Sequence, residues 1–184
     1  MGFSAACPGV NLLFQEEPAA LLLDRVRHGE LELGWGLYPT PHDELAFEPL
    51  GRDQMVAVVH TGHALAQRQT VSLGDTLAYQ HIGLHEGSTL LSFLREHVER
   101  VGKQLSLRIQ MSSFEAICRM VEAGVGIGII PESAAVRHSR TMQLVAVKLD
   151  EPWAIRERSI LVRELEALPG TIRALIATLM PQSA

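Results

Sequence analysis

Cysteine is scarce, basic residues do not outnumber acidic ones, and no apolar run is long. The only cysteines, Cys7 and Cys118, are too few and too far apart for a disulfide framework, and no CxxC or similar spacing offers a structural zinc site. A reducing compartment fits that usage. Lys and Arg number 16 against 21 Asp and Glu, a net charge of −5, and they form no cluster of the kind that phosphate contacts demand. The 184 residues are therefore not expected to bind nucleic acid on their own. Arg137-His138-Ser139-Arg140, the longest basic grouping, reads as a solvated loop. No stretch approaches the roughly 18 apolar residues that a membrane helix needs, and the N-terminus lacks a basic region followed by a sustained apolar one. No membrane partner is implied, and the chain reads as cytoplasmic unless a leader was removed.

Catalytic signatures are missing too. There is no GxSxG elbow, HExxH pair or P-loop, and no Ser/His/Asp or Cys/His set can be assembled from spacing. His60 and His63 could share a metal, but without a third ligand they read as loop and packing residues. Gly124, Gly126 and Gly128 resemble a dinucleotide-binding set superficially. That fingerprint follows a strand and opens a helix, whereas this one does the reverse. The expectation is a protein that is not an enzyme and uses no cofactor or metal.

The most informative stretch is SSFEAICRMVEAGVGIGIIPESAA, residues 112–135. Ser113 suits an N-cap ahead of the i, i+3, i+4, i+7 stripe Phe114, Ile117, Cys118 and Val121, and Gly124 stops the helix. Val125 to Ile130 then reads as a buried parallel strand carried close to its helix, ended by Pro131. Similar alternation runs along the chain. Residues 10–15 read as a strand, Pro18 to His28 as a helix and 31–35 as a strand; Met55 to Val59 and Ile82 to Leu84 are further apolar runs. A helix follows Ser88 with Leu91, Leu94, Val98 and Val101 on one face, and Leu105, Leu107, Ile109 and Met111 alternate as a half-buried strand should. Leu144 to Leu149 and Ser159 to Val162 are late strands before a helix that starts at Pro169 with Ile172, Leu175, Ile176 and Leu179 inward. Repeated strand–helix alternation predicts an α/β fold with mixed, mainly parallel sheets and helices on both faces, where ligands sit outside the carboxyl ends of strands.

The AGVGIGIIP helix-to-strand unit resembles the effector-binding domain of LysR-type transcriptional regulators. Pro8-Gly9-Val10 and its strand, LLLDRVRHGELELGWG, Glu48-Pro49-Leu50, VVHTGHALA and TVSLGDTLAYQHIGL fall in the order and rough spacing of that family. The resemblance covers about residues 8 to 180. It implies a two-lobed, periplasmic-binding-protein-like (type 2) domain holding a small molecule in the cleft between lobes. Lobe I would comprise residues 1–79 and 154–184, and lobe II residues 80–153, with Trp153 at the second crossover. The family's proteins begin with a helix-turn-helix, a linker helix and the first strand and helix of lobe I, and this chain opens at what looks like the second strand. Leu12, Phe14 and Leu33 would then lack a partner. The resemblance further implies a homo-oligomer, at least a dimer, that contacts DNA only through an N-terminal domain absent from this chain. A transporter's solute-binding protein is the alternative on the same fold.

Helix starts are the best-supported ligand sites, because they expose unpaired N–H groups and a positive dipole end. Three carry suitable side chains: Glu16-Glu17-Pro18, His85-Glu86-Gly87-Ser88-Thr89, and Ser112-Ser113. Ser88 and Ser113 could equally be N-caps alone; the resemblance implies that these positions line the effector cleft. Glu16 and Glu17 put an anionic effector in question. Trp35 follows a strand, where its ring could be core or a ligand platform, with Gly34 and Gly36 allowing close approach. Leu37 stands where the resemblance implies a ligand-gripping polar residue, which points to an apolar or aromatic effector part. The candidate effector-binding residues are thus Glu17, Trp35, His85, Ser88, Thr89, Ser112 and Ser113.

Overall fold

The computed structural model describes residues 3–15, 17, 19–36 and 44–180. The expectations on Glu16, Pro18 and Leu37 lie outside the described residues. Two compact units divide the chain, the first comprising Met1–Arg52 with Glu157–Ala184 and the second Asp53–Arg156.

In the first unit, α1 (Phe3–Ala6) packs on the C-terminal helix, and α2 (Ala19–Arg27) packs on β1 (Gly34–Gly36). Helix α2 buries Leu23 and Val26 against Leu45 and Leu161, with Leu22, Leu31 and Phe47 at the margin. Strand β1 runs antiparallel to the last strand, pairing Gly34 with Leu161 and Gly36 with Ser159. Residues 10–15 form no strand, contrary to the alternation in the sequence. Leu13 and Phe14 are 83% and 72% exposed, because an apolar strand needs a ladder partner and none reaches this segment among the described residues. Leu33, also expected to lack a partner, instead packs against Leu50 and Ile160.

Strand β2 (Ala46–His60) is a single 15-residue strand that leaves the first unit and enters the second. The chain therefore crosses at 52/53, inside β2, and returns at 156/157. The sequence had suggested Tyr79 and Trp153, since nothing in the apolar run Met55–Val59 marks a change of unit. That run is continuously buried because it is central: β7 (Leu144–Leu149) flanks it on one side, antiparallel, and β6 (Gly128–Pro131) on the other. The β6 pairing is antiparallel to β2, a correction to the parallel strand expected there, although Ile127 just before it makes a parallel bridge to His81. Strand β3 (Thr70–Val71) adds to β7 in parallel and leads into α3 (Leu73–Thr76), which Ser72 and Asp75 close with reciprocal capping bonds. The sheets are mixed, as expected, but not mainly parallel among the described residues: each chain crossing brings a strand in opposite to its neighbours, so antiparallel pairs gather on the two crossing strands.

Alternate residues of β2 face opposite cores. Met55, Ala57 and Val59 join Leu90, Leu94 and Val98 of α4 (Thr89–Arg100), while Val56 and Val58 join Ile117, Cys118 and Val121 of α5 (Phe114–Glu122) and Ala135 of α6 (Glu132–Ser139). Helices thus cover both faces. The expected α4 stripe holds through Val98, but Val101 is 60% exposed because the helix has ended by then.

The return strand β8 (Ile155–Val162) lies between β1 and β2, sending Leu161 toward α2 and Ile160 and Val162 toward α7 (Gly170–Leu179), whose Leu175 is buried.

Candidate functional site

Strands β4 (His81–Leu84) and β5 (Leu107–Met111) pair in parallel, so their carboxyl ends lie at one edge. Each end runs directly into a helix. The His85 amide donates to the Met111 carbonyl at 3.0 Å, extending the ladder one residue and fixing the two helix starts side by side. Five of the seven sequence-derived candidates, His85, Ser88, Thr89, Ser112 and Ser113, are brought together at this edge of the second unit.

Their roles divide. Ser113 Oγ accepts from the Ala116 amide at 3.2 Å and caps α5; Ser88 Oγ accepts from the Leu91 amide at 3.5 Å and caps α4 more weakly. Both serines therefore have the capping role that the sequence allowed. Replacing Ser113 with Ala should cost about 1 kcal/mol of stability in urea unfolding, and Ser88→Ala should cost less because its bond is longer. Equal losses would contradict this ranking. Thr89 and Ser112 are exposed at the same edge, and neither hydroxyl has a hydrogen-bond partner among the described residues. These are the hydroxyls available to a ligand. The His85 ring holds its own loop, with Nδ1 2.8 Å from the Glu86 carbonyl.

Sequence reading named Glu86 only as part of a helix-start motif and missed Arg95 and Gln110. Glu86 receives two bonds of 2.6 Å from the Arg95 guanidinium, one to each carboxylate oxygen, and a third of 2.7 Å from Gln110 Nε2. The Arg95 bonds first, then Gln110, hold the Glu86 carboxyl below its ordinary range. The set ties the loop before α4 to the second turn of that helix and to the end of β5. No helical periodicity joins these positions, because Glu86 precedes the helix and Gln110 belongs to another strand.

Glu17 and Trp35 belong to the first unit. The Glu17 carboxylate is ion-paired to Arg25, which also bonds Gln15 at 2.9 Å and Glu30 at 3.2 Å. Trp35 is 49% exposed on β1 and is not a core residue. His60 and His63 keep loop roles: each Nδ1 accepts from a nearby amide, of Gly62 and Leu65 respectively. His63 also meets the Tyr79 ring edge-on at 4.5 Å.

The model of the LysR substrate binding domain matches residues 1–184. The chain belongs to that family. Among curated relatives of this LysR domain, the transcriptional dual regulator GltC of Bacillus subtilis is 26% identical over 132 residues, 71% of this chain and 44% of its own length. The chain spans about half the length of the curated relatives it matches, and those relatives are transcriptional regulators. Two solved structures share the fold. The effector-binding domain of QuiR in complex with shikimate has a TM-score of 0.72 at 18% identity, over 97% of this chain and 85% of that one. The CcmR regulatory domain of Synechocystis PCC6803 in complex with 2-PG has a TM-score of 0.79 at 18% identity, over 97% and 86%.

Proposed function

We propose that this LysR domain is the effector-sensing part of a bacterial transcriptional regulator, that it binds a small metabolite, and that it takes part of it up at the carboxyl ends of β4 and β5. The single observation that carries this is the pair of unpartnered hydroxyls, Thr89 and Ser112, at two adjacent helix starts where backbone N–H groups and dipoles converge. In the first unit, taken by itself, Glu17 and Trp35 are candidate effector-binding residues, with Trp35 offering a flat apolar face. The whole regulator works in the cytoplasm as a homo-oligomer, at least a dimer, and reaches DNA through a domain outside this chain. Its role is binding, not catalysis. The transporter alternative is not favoured, because the relatives are transcriptional regulators.

The test begins with native mass spectrometry of protein purified from its own cells, which identifies a retained metabolite. Thr89→Ala should then weaken binding of that metabolite by about 1 kcal/mol or more, the loss of one neutral hydrogen bond, and leave urea unfolding nearly unchanged. Unaltered affinity in the variant would place the site elsewhere.

A further inference from the structure

We propose that His81 is an acid-operated latch, whose second ring proton opens the seam between β4 and Ile127 and releases the β4–β5 pair from the central sheet before the second unit unfolds as a whole. The inference does not depend on where the effector binds. It starts from a buried ring with one satisfied nitrogen. His81 Nδ1 donates to the Tyr79 carbonyl at 3.1 Å, and Nε2 has no hydrogen-bond partner among the described residues. The cavity that the ring lines is walled by Leu90, Leu91 and Leu94 of α4 with Leu105, Leu107 and Ile129, and no other titratable side chain lines it among the described residues. Tyr79 meets the imidazole through its carbonyl, and its own ring faces His63. The titratable groups of the surrounding elements are engaged elsewhere. On α4, Arg95 bonds Glu86, Glu96 bonds Arg100, and His97 Nδ1 lies 2.8 Å from the Phe93 carbonyl; Glu99 and Lys103 are exposed. Arg108 of β5 reaches the Val125 carbonyl, Arg119 of α5 pairs with Glu115 and Glu122, and Cys118 lies in the core that Val56 and Val58 enter. A proton on Nε2 therefore finds neither an acceptor nor a counter-ion, and burial holds the ring neutral.

The same residue is the joint of its strand. Its amide bonds the Ser106 carbonyl at 2.8 Å, and the β4–β5 ladder is irregular there, stepping from Leu107 to Ile109 as β4 goes from His81 to Ile82. On the other side, β4 meets Ile127 through one isolated bridge at His81. Two bonds make it: the Ile127 amide to the Gln80 carbonyl at 3.0 Å, and the Ile82 amide to the Ile127 carbonyl at 2.8 Å. A strand side chain stays on its own face of the sheet, so rotation of the ring alone leaves it under α4. Reaching water requires either α4 to lift, exposing its buried Leu90, Leu91, Leu94 and Val98, or the seam to part with the loss of two hydrogen bonds. The seam is the weaker attachment.

Native-state amide hydrogen exchange of the whole chain, corrected for the intrinsic effect of pH, reads the seam directly. At about pH 6.5 the Ile82 and Ile127 amides should be protected at least about tenfold less than amides of the β2–β7 ladder, because they open locally. Their protection should fall about tenfold further by about pH 5, through uptake of one proton in the opened state, and by less than about threefold over the same range in His81→Leu. His81→Met is the second variant, for the case in which leucine does not fold in the cavity, and it should give the same flat profile. Seam amides that exchange only together with the ladder overturn the proposal, and that comparison needs no variant. A seam that opens locally without pH dependence in the unaltered chain overturns it equally, as does a pH dependence that the His81 variants retain.

Discussion

Replacing Gly126 with alanine should lower the stability of the second unit by about 3 kcal/mol, at the upper end of what overpacking costs. A Cβ at this position would stand 2.5 Å from the Gln80 carbonyl oxygen and 3.3 Å from its carbon. Neither atom can swing away as a side chain can. The same carbonyl accepts the Ile127 amide at 3.0 Å, and the Ile82 amide in turn bonds the Ile127 carbonyl at 2.8 Å, so displacing Gln80 damages the contact that joins β4 to β6. Gly128→Ala should cost less, because its Cβ meets Ile117 Cγ2 at 2.7 Å, a side-chain atom that can rotate. Gly74→Ala is the control in the same unit: the one atom its Cβ meets within 4 Å is Ser72 Oγ at 3.5 Å, an ordinary contact, and it lies in α3. Urea unfolding followed by Trp153 in a Trp35→Phe background reads the second unit, where Trp153 packs on His97 at 4.6 Å and on Phe93 at 5.5 Å. A Gly126→Ala midpoint equal to that of the unaltered chain would show that the backbone yields at no cost.

The helix-to-strand unit that holds this glycine was legible in the sequence, and the reason is local, although the Gln80 backbone that requires a glycine at 126 is not. Helix α5, its Ser113 cap, its Gly124 stop at φ +71° and the strand after it are fixed by neighbours within about 20 residues, so periodicity and turn chemistry specify them. The direction in which β6 pairs is not local. It depends on β2, some 70 residues earlier, and no pattern within Gly128–Pro131 distinguishes an antiparallel partner from a parallel one. The first crossing was hidden because β2 runs on through its own Pro49 and Gly51, the latter at φ +136°, so the residues that would punctuate the run end no strand there. Residues 10–15 are apolar like a strand and yet form none, which marks the limit of apolar character as a signal: it reports a segment that could be buried, not a partner that buries it.

The candidate site divides along the same line. His85, Ser88, Thr89, Ser112 and Ser113 were found because each helix start announces itself, and the parallel pairing of β4 with β5 then placed the two starts together. Glu86, Arg95 and Gln110 were not, since their grouping exists only once a loop, a helix and a strand have met. Family resemblance supplied the expectation of a ligand at these starts.

Acidification should destabilise the second unit through His81, a residue that nothing in the sequence singled out. The side chain is 2% exposed at the start of β4, walled by Leu90, Leu94, Leu105 and Leu107. Its Nδ1 lies 3.1 Å from the Tyr79 carbonyl, which can only accept, so Nδ1 carries the proton and Nε2 holds the lone pair. Nε2 is buried without a hydrogen-bond partner among the described residues. A second proton would therefore be placed among leucines. Burial pushes the pKa down from 6.5 to about 4, with the Tyr79 carbonyl opposing it in part. Because the folded value lies below the unfolded one, the unfolded chain takes up the proton first. Stability from this residue is complete above pH 6.5, is lost as the pH falls toward about 4, and changes no further below it. The difference between the two pKa values corresponds to about 3 kcal/mol. His81→Leu removes the titrating group and keeps an apolar wall, so its unfolding free energy should fall less steeply across that window, by about one bound proton. His63, also lowered chiefly by burial, is unchanged in the variant and cancels in the comparison. Parallel pH profiles for His81→Leu and the unaltered chain would mean that His81 is protonated in the fold at no cost, and that its pocket admits water to Nε2.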